Sequence, residues 1–406
     1  MTIAQDAGTT GRYLVLFEQD AFAEGAREMT RVAGLRTAST RESPELLTAA
    51  ASTERDGMVY HELGVAVVSA ATDQAARLSQ AAESTGPIAV VELERRVRAI
   101  TTETSTVSAK GPFDENTLTW GLQAVGAHAS KATGNGIRVA VLDTGLDLSH
   151  PDLAGRTIVS ESFVPGEEAQ DGHGHGTHCV GTSCGPRKPA TGPGYGVAYE
   201  ADIYAGKVLS NEGSGTDAGI LSGISWAITN ECRVVSMSLG AAVQAGAPFS
   251  RTFERVAVRA MQRGTLIVAA AGNESDRSAG VIAPVGHPAN CPSILSVGAV
   301  DALSAVADFS CGTVDTIGQV DVVAPGVDVY SSWPMPGRYQ RLQGTSMATP
   351  HVAGVAALWA QKLMEAGQLN AQLLADRLVG STTTEGLAPG VDAADAGAGI
   401  VQAPQG

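Results

Sequence analysis

Short apolar runs recur along the chain, and their spacing separates two regions. Tyr13–Phe17, Val59–Val68 and Pro87–Leu93 come first; Ile137–Leu142, Asp202–Val208, Arg233–Leu239, Thr265–Ala271 and Ile294–Val300 follow after Trp120. Among the later runs lie stretches with helical spacing, Asp217–Thr229, Ser250–Arg263 and Ser346–Ala366. Strands that are apolar throughout and alternate with helices predict an α/β fold whose mainly parallel sheet is covered on both faces. The first 100 residues add helical patterns at Asp20–Val32 and Thr72–Glu83, which predicts a small separate α+β unit; Arg36–Arg55 is polar and gives no clear element. Thr101–Asn116 is rich in Thr, Ser, Lys and Gly and reads as a linker. The expected division is therefore 1–100, a linker over 101–116, and 117–406.

Composition narrows the function classes. The 406 residues carry a formal charge of −15, which argues against a nucleic-acid partner, because phosphate binding needs a basic face. No apolar run approaches the roughly 18 residues of a membrane span. The first 11 residues lack the charged-then-apolar pattern of a secretory leader, so the compartment, cytoplasmic or secreted, stays open. Five cysteines (179, 184, 232, 291 and 311) show no CxxC spacing and read as reduced, buried thiols; Cys291 with Cys311 is the one pair worth testing as a disulfide.

Four stretches carry candidate chemistry. Gln343–Gly354 places Ser346 at the start of a buried helix, where unpaired N–H groups and the helix dipole favour an oxyanion; a plain helix cap uses the same residue type. Asp143 ends an apolar strand, so it starts half buried and needs a partner. In Asp171–Gly181 three histidines fall within six residues, but spacings of two and three without an intervening Glu do not suit a helical zinc pair. Small neighbours around His175 suit a general base instead. Cys179 is a candidate nucleophile or a buried small side chain, the latter more common. Ala269–Glu274 delivers Asn273 to the end of a strand. In the order Asp, His, Asn, Ser, these residues supply what serine acyl transfer requires: Ser346 as nucleophile, His175 as base, Asp143 to orient it, and Asn273 with the Ser346 N–H for the oxyanion.

Asp143-Thr144-Gly145, His175-Gly176-Thr177-His178 and Gly344–His351 closely resemble the three signatures of the subtilisin-like serine peptidases, in that family's chain order. The resemblance runs from about Trp120 to Val401. It implies a three-layer subtilisin-like fold and peptide or protein substrates, with no cofactor required. By the same resemblance Gly213-Ser214-Gly215 and Ser238-Leu239-Gly240 form the two edges between which a peptide adds as a strand, and Ala270-Ala271-Gly272 line the pocket before the scissile bond. Few charges there imply medium or large apolar side chains. His287-Pro288 is similar to a family position with a cis proline. Cys179 matches a thiol of the proteinase-K-like branch. Asp152 matches a family calcium ligand, but its partners look absent and Gly185–Tyr195 has no carboxylate, so structural calcium is doubtful. Residues 1–100 resemble, more weakly, the family's ferredoxin-like inhibitory propeptide, whose tail would lie within Arg95–Asn116. An unrelated accessory domain, a peptidase dedicated to one substrate, and a catalytically silent peptide binder of the same fold remain as alternatives.

Overall fold

A computed structural model of the chain describes residues 8–19, 21–42, 55–100 and 111–405. Asp20, part of the unassigned 36–55 stretch, and residues 101–110 of the expected linker lie outside the described residues. The N-terminal region contains β1 (Thr9–Phe17), α1 (Phe22–Ala33), β2 (Thr37–Ser39), β3 (Gly57–Tyr60), β4 (Val65–Val68), α2 (Thr72–Ala82) and β5 (Ile88–Ala99). The run Val59–Val68, expected as one strand region, is a hairpin: β3 pairs antiparallel with β4, and the turn between them spans 61–64. The turn is His61-Glu62-Leu63-Gly64, a polar pair and a glycine at φ 60° that interrupt the apolar run.

Beyond the linker come α3 (Trp120–Ala124), β6 (Arg138–Asp143), β7 (Ile158–Ser162), α4 (His175–Cys184), β8 (Asp202–Lys207), β9 (Ser214–Thr216), α5 (Asp217–Thr229), β10 (Val234–Met237), β11 (Leu239–Gly240), α6 (Arg251–Gln262), β12 (Leu266–Ala270), β13 (Leu295–Val300), β14 (Val322–Pro325), β15 (Val329–Ser332), β16 (Tyr339–Leu342), α7 (Thr345–Glu365) and α8 (Ala371–Gly380). Seven strands form one wholly parallel sheet in the order β14-β13-β12-β10-β6-β8-β7. Along β6 the side chains alternate: Val139 and Val141 join the core beneath α4 and α7, whereas Ala140 and Leu142 join the core beneath α5 and α6. Period-2 alternation with both faces apolar is what makes such strands read as continuous apolar runs.

The second core does not stop at α5 and α6. Leu14, Leu16, Met58, Tyr60, Val65, Val67, Val90 and Val97 belong to the same buried cluster as Ile220, Leu221, Phe253 and Val256. On the other face of the N-terminal sheet, Val15, Phe17, Val59, Ala66 and Val68 pack with Met29 and Leu78 of α1 and α2. The layers therefore run α1/α2, a mainly antiparallel sheet in which β2 alone pairs parallel, α5/α6, the parallel sheet, and α4/α7.

β5 joins the two regions. Residues 88–95 pair antiparallel with β1; then Arg96–Arg98 pair with β9, and Arg98 and Ala99 with β11. The strand expected over Pro87–Leu93 thus continues to Ala99. Glu94, Arg95 and Arg96 interrupt the apolar pattern that would have announced it. The carboxylates have partners instead: Glu92 accepts from Ser250 Oγ at 2.6 Å and Arg251 N at 2.9 Å, at the start of α6. Glu94, fully buried, accepts from Ala218 N at 3.0 Å in the first turn of α5 and from both Arg12 fork nitrogens at 2.7 Å. Negative charge at a helix N-terminus is favourable.

Candidate active site

β6 ends at Asp143, 1% exposed, whose Oδ1 lies 2.7 Å from His175 Nδ1 and accepts the Thr144 N–H, also at 2.7 Å. His175 is the first residue of α4 and is fully buried. Burial opposes its protonation, yet the neighbouring Asp143 carboxylate carries its pKa well above the ordinary value. The other ring nitrogen, Nε2, has no hydrogen-bond partner among the described residues.

Ser346 is the second residue of α7, not its cap. The cap is Gly344, and a Cβ there would sit 2.9 Å from Asn273 Nδ2 and 3.1 Å from the Ile100 carbonyl oxygen. Glycine is what leaves that space to the oxygen. With no side chain at the cap, the end of α7 is closed from another element: Asn273 Oδ1 accepts from Thr345 N and Thr345 Oγ1, each at 2.9 Å. This fixes the Asn273 amide plane, and its Nδ2 donates to Ile100 O at 3.3 Å. Ser346 Oγ donates to Ser238 O at 3.0 Å. The hydroxyl is thus turned to a carbonyl that also accepts the Ile100 N–H at 3.3 Å.

The chain's own β5 lies between the two segments expected to form peptide edges. Val97 pairs with Gly215 and Arg98 with Ser214 on one side; Ala99 pairs with Leu239 and Arg98 with Gly240 on the other. The Ala99 N–H reaches Gly213 O at 2.9 Å. Val97 and Ile100 are 1% and 9% exposed, while Arg96 and Arg98 face solvent. Ala270 and Ala271 are buried at the end of β12, where the Ala271 carbonyl accepts from Gly286 N at 2.8 Å; the groove beside Ile100 is lined by Gly240, Ala241, Asn273 and Glu274.

The other singled-out residues have quieter places. His178 Nε2 lies 3.0 Å from Val329 O, and burial pushes its pKa down to about 3, so it is neutral and tied to β15. His173 is half buried, with its ring 6.3 Å from that of His175, and burial lowers its pKa. Cys179 is fully buried, and burial raises its thiol pKa. Its Sγ is 3.9 Å from His175 Nδ1 and 3.6 Å from Ser346 O, where it donates weakly. Asp143, His175 and Cys179 bring ligand-type atoms within 4.8 Å of one another. All five cysteines are free: Cys291 Sγ faces Ser250 O and Cys311 Sγ faces Glu274 Oε2, so the tested Cys291–Cys311 pairing is absent. The His287–Pro288 bond is cis, as expected, and so is Met335–Pro336.

At Asp152 the donor set does not fit calcium, which takes six to eight oxygen ligands. Its Oδ2 accepts the hydroxyls of Tyr195 at 2.9 Å and Tyr339 at 2.8 Å, and Oδ1 accepts from the Arg338 guanidinium at 3.3 Å. A fixed cation of the protein stands beside this carboxylate. Among the described residues, no helix is long and apolar enough to cross a membrane.

Sequence reasoning missed Ile100, Gly344 as the cap, and the carbonyl of Ser238. Ile100 carried no signal, since only the docked strand shows where its carbonyl lies.

The model of the subtilase family matches residues 134–399. Subtilisin E of Bacillus subtilis (strain 168) is 44% identical over 239 residues, 58% of this chain and 58% of its own length. Subtilisin of Bacillus pumilus is 44% identical over 239 residues, 58% of this chain and 81% of that one. Subtilisin Savinase of Lederbergia lenta is 44% identical over 247 residues, covering 60% and 84%. The chain therefore matches less than two thirds of the length of subtilisin E.

Proposed function

Because the chain belongs to the subtilase family, we propose that it is a serine endopeptidase made as a zymogen, with residues 1–100 as its intramolecular inhibitor. Ser346 attacks the scissile carbonyl after its hydroxyl swings from Ser238 O to the free Nε2 of His175. His175 takes the proton and later returns it to the leaving amine, with Asp143 holding the tautomer and the imidazolium. Charge developing on the carbonyl oxygen meets Asn273 Nδ2 and the unpaired N–H of Ser346 in the first turn of α7. A Ser346 hydroxyl not yet on its base fits a resting state, since catalytic hydrogen bonds tighten only in productive complexes.

One observation carries the reading. The strand β5, paired on both edges, brings the Ile100 carbonyl oxygen 3.3 Å from Asn273 Nδ2. That is where a substrate carbonyl would wait, which supports the Ile100–Thr101 bond as the processing site. Val97 and Ile100, buried where Arg96 and Arg98 are not, support substrates with aliphatic residues at those two positions.

The test is intact-mass analysis and fluorophosphonate labelling of the full chain beside Ser346→Ala. The wild type should label at Ser346 and separate after Ile100, and Ser346→Ala should do neither. Self-cleavage that persists in Ser346→Ala would sink the mechanism.

A further inference from the structure

α4 begins without a cap of its own. Gly174 occupies the cap position with φ 106°, and a Cβ there would come 2.4 Å from the Trp333 ring. The usual Ser, Thr, Asp or Asn at that position is excluded by packing, although the first-turn N–H groups still need acceptors. They find them on two residues outside the helix. Gly176 N donates to Thr144 Oγ1 at 2.8 Å, and Thr177 N donates to Asp171 Oδ2 at 2.9 Å.

Asp171, 3% exposed, accepts five hydrogen bonds. Its Oδ1 takes Thr144 Oγ1 at 2.9 Å, His173 N at 2.9 Å and Gly174 N at 2.8 Å. Its Oδ2 takes Thr177 N and, at 2.7 Å, Thr177 Oγ1. Thr144 is the residue after Asp143, and its carbonyl is held at 2.6 Å by the buried ammonium of Lys207. One carboxylate therefore ties the end of the strand carrying Asp143 to the helix turn carrying His175.

We infer that Asp171 is a positioning residue, exported from the cap position of α4, which sets the Asp143–His175 geometry through Thr144 and Thr177. An ordinary cap would close only the helix. This one closes the helix and the strand end together. Asparagine is not a substitute, because its single acceptor oxygen leaves an NH2 group facing the Thr177 N–H.

The inference rests on the proposed peptidase chemistry, and the experiment separates the two. Active sites of the wild-type chain and of Asp171→Asn are counted by fluorophosphonate titration, and turnover of a peptide substrate is expressed per titrated site. A misplacement of about 1 Å costs on the order of 10²-fold. We expect kcat per site to fall about that much, with KM nearly unchanged, because β9 and β11 are separate elements. If Asp171→Asn fails to fold, Thr144→Val decides: it removes the shared hydroxyl and leaves Asp171 on Thr177. Its kcat per site should fall about 10-fold, and Thr144→Ser should recover most of the loss. Wild-type kcat per site in either variant would overturn the positioning role and leave the peptidase reading intact. A wild-type chain that does not label would remove that reading and this inference with it.

Discussion

The two sides of the cleft are built to different specifications. On the base side, the side-chain hydrogen bonds that link Asp143, His175, Thr144 and Asp171 all fall within residues 143–177, and none of them involves β5. On the nucleophile side, the polar groups are shared with Ile100, the residue that follows β5: Asn273 Nδ2 with Ile100 O, and Ser238 O with Ile100 N and Ser346 Oγ. Both helices start on a glycine and take their caps from elsewhere. The difference is that α4's imported cap is closed, whereas α7's is an amide with one end left for a ligand. On the proposed reading, the base is set before any peptide arrives, and the nucleophile's surroundings change as one comes or goes.

Three experiments press on this contrast. Asn273→Ala acts on both functions of the amide, and removing one such oxyanion donor costs about 10²–10³ in kcat, a magnitude measured in subtilisin itself. A loss under tenfold, by steady-state kinetics on the processed enzyme, would mean that the docked Ile100 carbonyl marks no oxyanion site. Ile100→Asp should be milder and confined to maturation. Exchanging a buried aliphatic side chain for a carboxylate costs at least the 1.5–3 kcal/mol of its burial, so self-processing should slow by about 10- to 100-fold. Turnover of added peptides by whatever has matured should stay at the wild-type level, and the time course of intact mass reads the first quantity. The smallest effect concerns pH. Asp143 raises the pKa of His175, and a general base works only when neutral. kcat/KM should therefore climb with pH through a midpoint above the ordinary imidazole value of about 6.5. A midpoint below that would place the base outside the influence of Asp143.

Legibility in the sequence followed the same division. Asp143, His175, Asn273 and Ser346 stood out as candidates because each sits at a strand end or helix start, where local pattern and chemistry coincide. The parallel strands and helices 217–229, 251–262 and 345–365 were readable from apolar spacing. β5 past Leu93 was not, because Glu94 and three arginines interrupt the apolar pattern, and Glu94 owes its place to partners in α5 and to Arg12, which no local period reports. The hairpin inside Val59–Val68 was missed although His61, Glu62 and Gly64 mark its turn, because the two flanking apolar runs are short enough to read as one strand. Asp171 stood in plain view beside His175, yet its five contacts needed Thr144, a residue 27 positions away, to be meaningful.

β5 has one more consequence, and it concerns concentration. The strand reaches the cleft from within the same chain, so its hold on Asn273 and the two edges is unimolecular and indifferent to dilution. Breaking the chain after Ile100 would leave every one of those contacts in place while changing the order of the equilibrium. From that moment, how much enzyme is free would depend on how much of everything is in the vessel.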